Sequence, residues 1–311
     1  MYQDIFNEIK NFETIIIHRH NNPDGDALGS QIGLKHIIRA AFPEKNVCAV
    51  GDGAGRYSFM DDSIMDEVPD SAFKDALCLI LDCGAASLVS DDRYIKAAKT
   101  ARIDHHMYSG AFTDLEVIDS NSESCCGEIT QMAMELGLEV PDIAAKSLYT
   151  GMVTDSGRFR YDSTTSNTHR RAAFLLERNF DVNDIFLNLY ADDFKEKQLK
   201  AQFTLKIKFT PNNVAYIYTT EEEQKSLNAD TFTISRGMVN TMADIKGVDI
   251  WANFTESDGK VLCELRSSRR TINHIAVKYG GGGHAKACGA RVDSRETAMA
   301  MLSDLDKMMQ E

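Results

Sequence analysis

The first half of the chain alternates short apolar runs with segments of helical periodicity, and this alternation constrains the fold most strongly. The runs, rich in β-branched or aliphatic residues, are 14–18, 46–50, 77–82, 100–104 and 115–119. Apolar residues at helical spacing lie between several of these runs, as at Leu28, Ile32 and Ile38. Strands that alternate with helices in this way predict a parallel sheet covered by helices on both faces.

The rest of the chain predicts a helical connector and a second, smaller α+β domain. Helices expected at 122–136 and 141–152 complete the first domain, with Pro141 at the first helical position. Further strands are predicted at 214–219, 249–254 and 261–265, and further helices at 234–245, 272–279 and 295–309. The predicted organisation is a first domain at 1–185, a helical linker at 186–206 and a second domain at 207–311.

Charge and composition exclude several classes of protein. The 311 residues include 34 Lys and Arg against 47 Asp and Glu, a net charge of −13. Such a surface repels a long nucleic acid, because that affinity comes mostly from cations that neutralise phosphates. No apolar run approaches the roughly 20 residues of a membrane span, and the N-terminus lacks the order of a signal peptide. Seven cysteines without a CxxC pair complete the expectation of a cytoplasmic protein without disulfides.

Acidic and imidazole side chains follow three of the predicted strands. The carboxyl ends of parallel strands line one crevice, where ligands bind in open α/β sheets. The residues that the chain delivers to this edge are His20, Asp24, Asp26, Asp82, Asp104, His105 and His106. A further acid, Asp155, follows the helix predicted to end near residue 152.

Each of these motifs alone has an ordinary structural explanation, since Asp-Gly-Asp suits a turn and an Asp after a strand often caps a helix. Together, the carboxylates would repel one another and raise one another's pKa unless a cation compensates. Oxygen-rich sites with some imidazole suit Mn²⁺ or Mg²⁺ better than Zn²⁺. Two such ions can clamp a phosphoryl group in a displacement reaction. Asp82, alone at the end of a central strand, is the best-placed carboxylate to bridge them.

These motifs, in this order, resemble those of the DHH phosphoesterase superfamily. The four motifs are His20-Asn-Asn-Pro-Asp24-Gly-Asp26-Ala-Leu-Gly29-Ser30, Leu81-Asp82, Asp104-His105-His106 and Thr154-Asp155-Ser156-Gly157. The glycine run at 280–283 with His284, and the segment 265–268, resemble the associated DHHA1 domain. The resemblance implies a Rossmann-like parallel-sheet DHH domain and a smaller α+β DHHA1 domain. In length the chain is similar to the nano-RNase (NrnA-like) branch of the superfamily.

The resemblance also implies a set of metal ligands and catalytic residues. One Mn²⁺ would be held by His20, Asp24 and Asp82. The other would be held by Asp26, Asp82, His105 and Asp155, with Asp82 bridging and with Mg²⁺ or Co²⁺ as alternatives to manganese. His106 would face the scissile phosphate, and Asp104 would orient an imidazole, as metal-binding histidines usually require. The role of Arg158 is left open.

The second domain is expected to bind substrate. Consecutive glycines permit close backbone approach and expose N–H groups that can hold a phosphate, and Arg266 and His284 could add charge-assisted hydrogen bonds. A flexible loop is the alternative, but a helix leads into the run and a strand follows it. The predicted substrate-binding residues are Arg266, Ser267, Gly281, Gly282, Gly283 and His284.

The predicted function is that of a Mn²⁺-dependent phosphodiesterase and oligoribonuclease with 3′(2′),5′-bisphosphate nucleotidase activity. The expected substrates are nanoRNA, linear dinucleotides such as pApA or pGpG, and 3′-phosphoadenosine-5′-phosphate (pAp), held in a cleft between the two domains. Two alternatives stay open: an inorganic pyrophosphatase of the same superfamily, and a non-enzymatic nucleotide- or RNA-binding module. The sequence leaves the oligomeric state undecided, a homodimer included.

Overall fold

A computed structural model describes residues 2–227 and 229–310. The chain divides into two units, Met1–Ala191 and Asp192–Glu311. The segment 186–206, predicted as a connector, is helical on both sides of this division, and its two helices belong to different units. Among the described residues, we find no helix with the length and apolar character needed to cross a membrane.

Five parallel strands form the sheet of the first unit, in the order β2-β1-β3-β4-β5. They are β1 (Thr14–His18), β2 (Asn46–Ala49), β3 (Leu77–Leu81), β4 (Lys99–Asp104) and β5 (Leu115–Ile118). The predicted parallel sheet is thus confirmed, with strand ends that differ from the prediction by a single residue. The strand order reverses between β1 and β3, and ligands bind at such a switch point in open α/β sheets.

Seven helices accompany this sheet. They are α1 (Tyr2–Asn11), α2 (Gly25–Ala41), α3 (Asp70–Phe73), α4 (Cys125–Leu136), α5 (Asp142–Asp155), α6 (Ser166–Leu176) and α7 (Val182–Tyr190) among the described residues. Pro141 lies just before α5 as its N-cap, not at the first helical position as predicted. The missing N–H still costs nothing there, because the first helical amides have no partner within the helix.

The two faces of the sheet pack against different kinds of helix. Ile15 and Ile17 of β1 belong to the large core formed with the long helices. Ile16, which points to the opposite face because side chains alternate along a strand, packs instead with Phe73 and Tyr94. That second face carries the four-residue α3 and a 3₁₀ helix at Asp92–Lys96. Long helices therefore cover one face, whereas the sequence predicted helices on both.

The second unit contains a mixed sheet in the order β10-β11-β9-β8-β7-β6. Its strands are β6 (Lys208–Phe209), β7 (Ala215–Thr219), β8 (Ile250–Ser257), β9 (Lys260–Ser267), β10 (Gly282–Gly283) and β11 (Ala287–Val292). Its helices are α8 (Phe194–Leu205), α9 (Glu221–Leu227), α10 (Asn273–Lys278) and α11 (Arg295–Met308). The α+β architecture is confirmed, but the helix predicted at 234–245 is a π-helical turn, Thr233–Gly237, and a 3₁₀ helix, Val239–Met242.

Helix α2 packs closely against α5. This contact places the start of α2 and the end of α5 beside the carboxyl edge of the sheet. A Cβ atom added at Gly29 would lie 2.5 Å from the carbonyl oxygen of Ser147 and 3.0 Å from Cys126 Sγ. The Ser147 oxygen is a backbone atom, so it cannot move away without a shift of α5. Only a residue without a side chain fits at this contact.

We therefore predict that Gly29→Val destabilises the first unit by about 1–3 kcal/mol, the usual cost of overpacking a well-packed core. Thermal unfolding followed by circular dichroism should show a lower melting temperature. Gly53→Ala is the matched control, because a Cβ at Gly53 would meet nothing within 4 Å. Equal melting temperatures for Gly29→Val and the parent would contradict the proposed tight contact.

Candidate active site

The carboxyl edge of the first sheet gathers three groups of candidate metal-binding side chains, each with ligand atoms within 4.8 Å of one another. The groups are His20, Asp24 and Asp82; Asp26, His105 and Asp155; and Asp82, His105 and His106. They include every residue that the sequence predicts as a metal ligand. The structure thus brings together side chains from residue 20 to residue 155 of the chain.

Asp82 lies at the centre of these groups. One of its oxygens, Oδ2, is 3.5 Å from His20 Nε2, and the other, Oδ1, is 3.4 Å from His105 Nε2. The residue follows β3 with φ of 52°, a left-handed conformation that Asp tolerates better than most residues. Its side chain is 2% exposed. Although burial raises the pKa of Asp82, His105 and His20 hold it well below its usual range.

The Asp-Gly-Asp motif performs two local tasks. Asp24 is the N-cap of α2, and its Oδ1 accepts hydrogen bonds from the amides of Asp26, at 2.9 Å, and Ala27, at 3.0 Å. Asp26 is fully buried and accepts the amides of Cys125, at 2.7 Å, and Cys126, at 2.8 Å, at the start of α4. The positive end of α4 favours the carboxylate there. Burial and the carboxylates of Asp82 and Asp155 nevertheless raise the pKa of Asp26.

The two histidines that follow β4 are held by the carboxylate of Asp104, the last residue of that strand. Asp104 Oδ1 accepts the amide of His105, at 2.8 Å, and lies 2.8 Å from His106 Nδ1. This contact fixes the ring of His106, whose side chain is 48% exposed, and leaves its Nε2 for another partner. His105 Nδ1 lies 3.3 Å from the carbonyl oxygen of Ser122, so Nε2 can present a lone pair to a metal.

Asp155 completes the site from the end of α5. Its Oδ2 lies 3.4 Å from His105 Nε2. Burial raises the pKa of Asp155 to about 7; His105 opposes this rise, and the negative charges of Asp82 and Asp24 add to it. The carboxylates therefore crowd one another, and their close positive partners are imidazoles.

Two observations show that this arrangement fits divalent metal ions. Asp82 Oδ1 is buried and has no hydrogen-bond partner among the described residues, although buried polar atoms are almost always bonded. The donors are carboxylate oxygens and imidazole nitrogens, which suit Mg²⁺ or Mn²⁺ and contain no thiolate. Cations at this edge would satisfy Asp82 and remove the repulsion that raises the pKa values of Asp26 and Asp155.

A second layer supports these side chains and was not predicted from the sequence. The segment 122–126 contacts His105 through the Ser122 carbonyl and Asp26 through two amides. Arg171 of α6 holds this segment: its Nη1 donates to Ser122 Oγ at 2.7 Å and to Glu123 Oε2 at 3.3 Å. The polar run before α4 is a signal that could have pointed to Glu123, but nothing nearby in the sequence marks Arg171.

The predicted substrate-binding residues of the second unit lie on β9 and on a hairpin. Arg266 Nη2 contacts Glu264 Oε2 at 3.1 Å, and Ser267 Oγ accepts the amide of Arg270 at 2.8 Å. The glycine run forms β10 and pairs with β11, and the His284 amide donates to the Ala287 carbonyl at 2.8 Å. The Gly281 amide is also bonded, to the Ala276 carbonyl at 2.8 Å. The run is therefore an ordered hairpin, and its free amides are fewer than a flexible loop would offer.

Arg158, whose role the sequence leaves open, lies just beyond Asp155. It has φ of 63°, and its guanidinium carbon lies 4.8 Å from the centre of the Tyr190 ring. This cation–π contact attaches the turn after α5 to the end of α7.

Two family models match this chain. The model of the DHH family, N-terminal domain, matches residues 14–152, and the model of the DHHA1 domain matches residues 212–311. The chain belongs to the DHH family, with an accompanying DHHA1 domain.

Full-length relatives and one solved structure are also similar to this chain. The chain is 32% identical to a Bacillus subtilis protein named bifunctional oligoribonuclease and PAP phosphatase NrnA, over 100% of this chain and 99% of the relative. It is 35% identical to a Streptococcus mutans protein with the same name qualified as probable, over 93% of each. A crystal structure of an exopolyphosphatase-related protein from Bacteroides fragilis matches with a TM-score of 0.84 and 26% identity, over 100% of this chain and 98% of that one.

We predict that Arg171→Met weakens the binding of a divalent metal ion about ten- to a hundredfold, the usual effect of removing groups that orient metal ligands. Without the guanidinium, Ser122 and Glu123 lose the contact that fixes the loop behind His105 and Asp26. Calorimetric titration of metal into the chelator-treated protein would measure this. Arg170→Met is the control, since Arg170 is exposed and donates hydrogen bonds to Ser166 and Asn167 of its own helix. An unchanged dissociation constant in folded Arg171→Met protein would refute the supporting role.

Proposed function

We propose that the chain is a divalent-metal-dependent hydrolase of short nucleotides. It would cleave phosphodiester bonds in nanoRNA and linear dinucleotides such as pApA or pGpG, and the phosphomonoester of pAp, releasing mononucleotides or phosphate. The observation that carries this proposal is the position of Asp82, a buried carboxylate between His20 and His105. One of its oxygens has no hydrogen-bond partner in the part of the chain that the structure describes. The names of the full-length relatives support the choice of substrates.

Two sets of residues would hold the metals, with Asp82 shared between them. The first set is His20, Asp24 and Asp82. The second set is Asp26, Asp82, His105 and Asp155. We favour Mn²⁺ from the resemblance to the DHH superfamily, since the carboxylate and imidazole ligands by themselves suit Mg²⁺ as well as Mn²⁺. Divalent ions held there would polarise the phosphoryl group and activate water for attack on phosphorus.

The residues beside the metal ligands would position the substrate. His106 is half-exposed, and its Nδ1 is fixed by Asp104, so Nε2 can hold an oxygen of the scissile phosphate. Asp104 would position His106 through this contact. It also accepts hydrogen bonds from the backbone amides of His105 and His106. A site in which both histidines are fixed by one buried carboxylate needs little reorganisation during the reaction.

The second domain would recognise the part of the nucleotide away from the scissile bond. We assign this role to Arg266, Ser267, Gly281, Gly282, Gly283 and His284. The net charge of −13 leaves few cations to follow a long backbone, so binding should depend on such local contacts. All seven cysteines are free, which fits the reducing conditions of the cytoplasm.

Asp82→Ala should reduce turnover of pAp to background, because it removes the ligand that the two metals share. It should also abolish the rise in melting temperature that Mn²⁺ produces in the parent, since binding to the native state alone adds stability. Asp92→Ala, at an exposed acid outside the site, is the control. Turnover within tenfold of the parent would exclude the shared ligand.

Substrate length gives the test of the function itself. We expect pAp and RNAs of a few nucleotides to be hydrolysed in Mn²⁺ and not after chelation, with rates that fall as RNA grows from 2-mers to 24-mers. The panel should include pApA, pGpG and pyrophosphate. Preferred hydrolysis of pyrophosphate would favour the pyrophosphatase, and nucleotide binding without turnover would favour a binding module. A 24-mer degraded as fast as a 3-mer would contradict selection for short substrates.

A further inference from the structure

Two arginines of the second unit share one carboxylate. Arg236, in the π-helical turn, places Nε 3.0 Å from Glu264 Oε1. Arg266, on β9, places Nη2 3.1 Å from Glu264 Oε2. Each oxygen of Glu264 is thus taken by a different guanidinium. Arg236 is distant in sequence from the glycine run and belongs to no motif that the sequence analysis identified.

Both guanidiniums are held in place by further contacts. Arg266 Nη1 donates to the Leu265 carbonyl at 2.9 Å and lies 3.4 Å from the Cys288 carbonyl oxygen. Arg236 lies over the ring of Phe232, with 5.7 Å between the guanidinium carbon and the ring centre. A bound anion would therefore meet two oriented groups and would not have to order them. Fixed guanidiniums lose little conformational entropy when they form a hydrogen bond.

Glycines take the place of larger residues on the face of the sheet near Glu264. In the antiparallel register, Gly282 lies opposite Gly289, and Gly289 lies opposite Glu264. Opposed residues point to the same face of a sheet, so Gly289, next to Glu264, and Gly282, one strand further on, carry no side chain on the face of Glu264. A Cβ added at Gly282 would meet nothing within 4 Å. A Cβ added at Gly289 would lie 2.7 Å from the Cys263 carbonyl oxygen and 3.6 Å from Glu264 Oε1, so the open space on this face lies over Gly282, one strand beyond Gly289.

The local charge beside Glu264 favours binding of an exchangeable anion. Two guanidiniums against one carboxylate leave a local excess of one positive charge, in a chain whose net charge is −13. Arg236 is 63% exposed and Glu264 is 13% exposed, so solvent reaches the arginine side of the pair. Carboxylate and phosphate bind arginine with the same planar geometry. A phosphate can therefore replace the carboxylate and bring a greater negative charge.

We propose that Arg236 and Arg266 form a phosphate-binding pair, and that Glu264 is an internal counter-ion that the phosphate displaces. The ligand class is a nucleotide carrying a phosphate other than the one cleaved, as in pAp or a 5′-phosphorylated dinucleotide. This assignment rests on the proposed function for the identity of the nucleotide. Arg236 then becomes a specificity-determining residue, and Glu264 sets how strongly an anion must bind to enter.

Direct binding of pAp to the full chain in chelator tests the pair without the metals. Glu264→Gln should bind about tenfold more tightly, because the competing charge is gone, and Arg236→Ala should bind about tenfold more weakly. Arg236→Lys should recover part of the loss. Arg291→Ala on β11, which removes an exposed arginine 3.8 Å from Asp258, is the control and should bind like the parent.

The same variants, assayed on pAp in Mn²⁺, give a second measurement. KM should shift in the same directions and by similar factors, with kcat within about twofold, since the scissile phosphate is held elsewhere. A merely structural role for Glu264 predicts the opposite sign, because its loss would leave both arginines unpartnered and weaken binding. Equal or weaker binding by Glu264→Gln, or parent-like binding by Arg236→Ala, would overturn the proposal.

Failure of the two proposals can be told apart. If the expected shifts in pAp binding occur but no substrate of the panel is hydrolysed, the phosphate pair stands and the proposed hydrolase does not. If pAp is hydrolysed but its KM is the same in the parent, Glu264→Gln and Arg236→Ala, the hydrolase stands and the phosphate pair does not.

Discussion

Crowding of buried carboxylates at one edge of the first sheet is the constraint on which the rest of this unit depends. Asp26 and Asp82 are almost fully buried, and they share their surroundings with Asp155. Ionised carboxylates in that position are tolerated only with compensating charge or hydrogen bonds. The strand order reverses between β1 and β3, so the loops that carry these acids meet without long connections.

The compensation uses groups that also build the fold. Asp26 accepts backbone amides at the start of α4, and Asp24, the N-cap of α2, accepts amides at the start of that helix, so both acids satisfy the first amides of a helix. Imidazoles from two strand ends flank Asp82. Because the same contacts fix the helices and the ligands, tight packing at Gly29 serves the site as well as the core. Stability and metal binding are coupled through these shared groups.

Local pattern was enough to predict the strands and the acids that follow them, because a buried parallel strand is a short apolar run and its carboxyl end is fixed by topology. What the sequence did not reveal depends on distant contacts. Arg171 supports Ser122 from 49 residues away, and Arg236 reaches Glu264 across 28. The π-helical turn at Thr233–Gly237 has a helical apolar pattern, and only packing against the sheet decides its geometry.

The two units use opposite charges in a related way. In the first, carboxylates outnumber their close cationic partners among the described residues, and Asp82 Oδ1 has no hydrogen-bond partner among them. In the second, two arginines outnumber the single carboxylate that they share. A charged or polar group that is only partly paired within the protein can gain binding free energy from a ligand of opposite charge. A fully paired group would first have to give up its partner, and the lost contact would offset the gain. In both proposals, incomplete pairing at Asp82 and at the two arginines beside Glu264 would favour metal cations at one position and phosphate at the other, while the acidic remainder of the surface would repel longer polyanions.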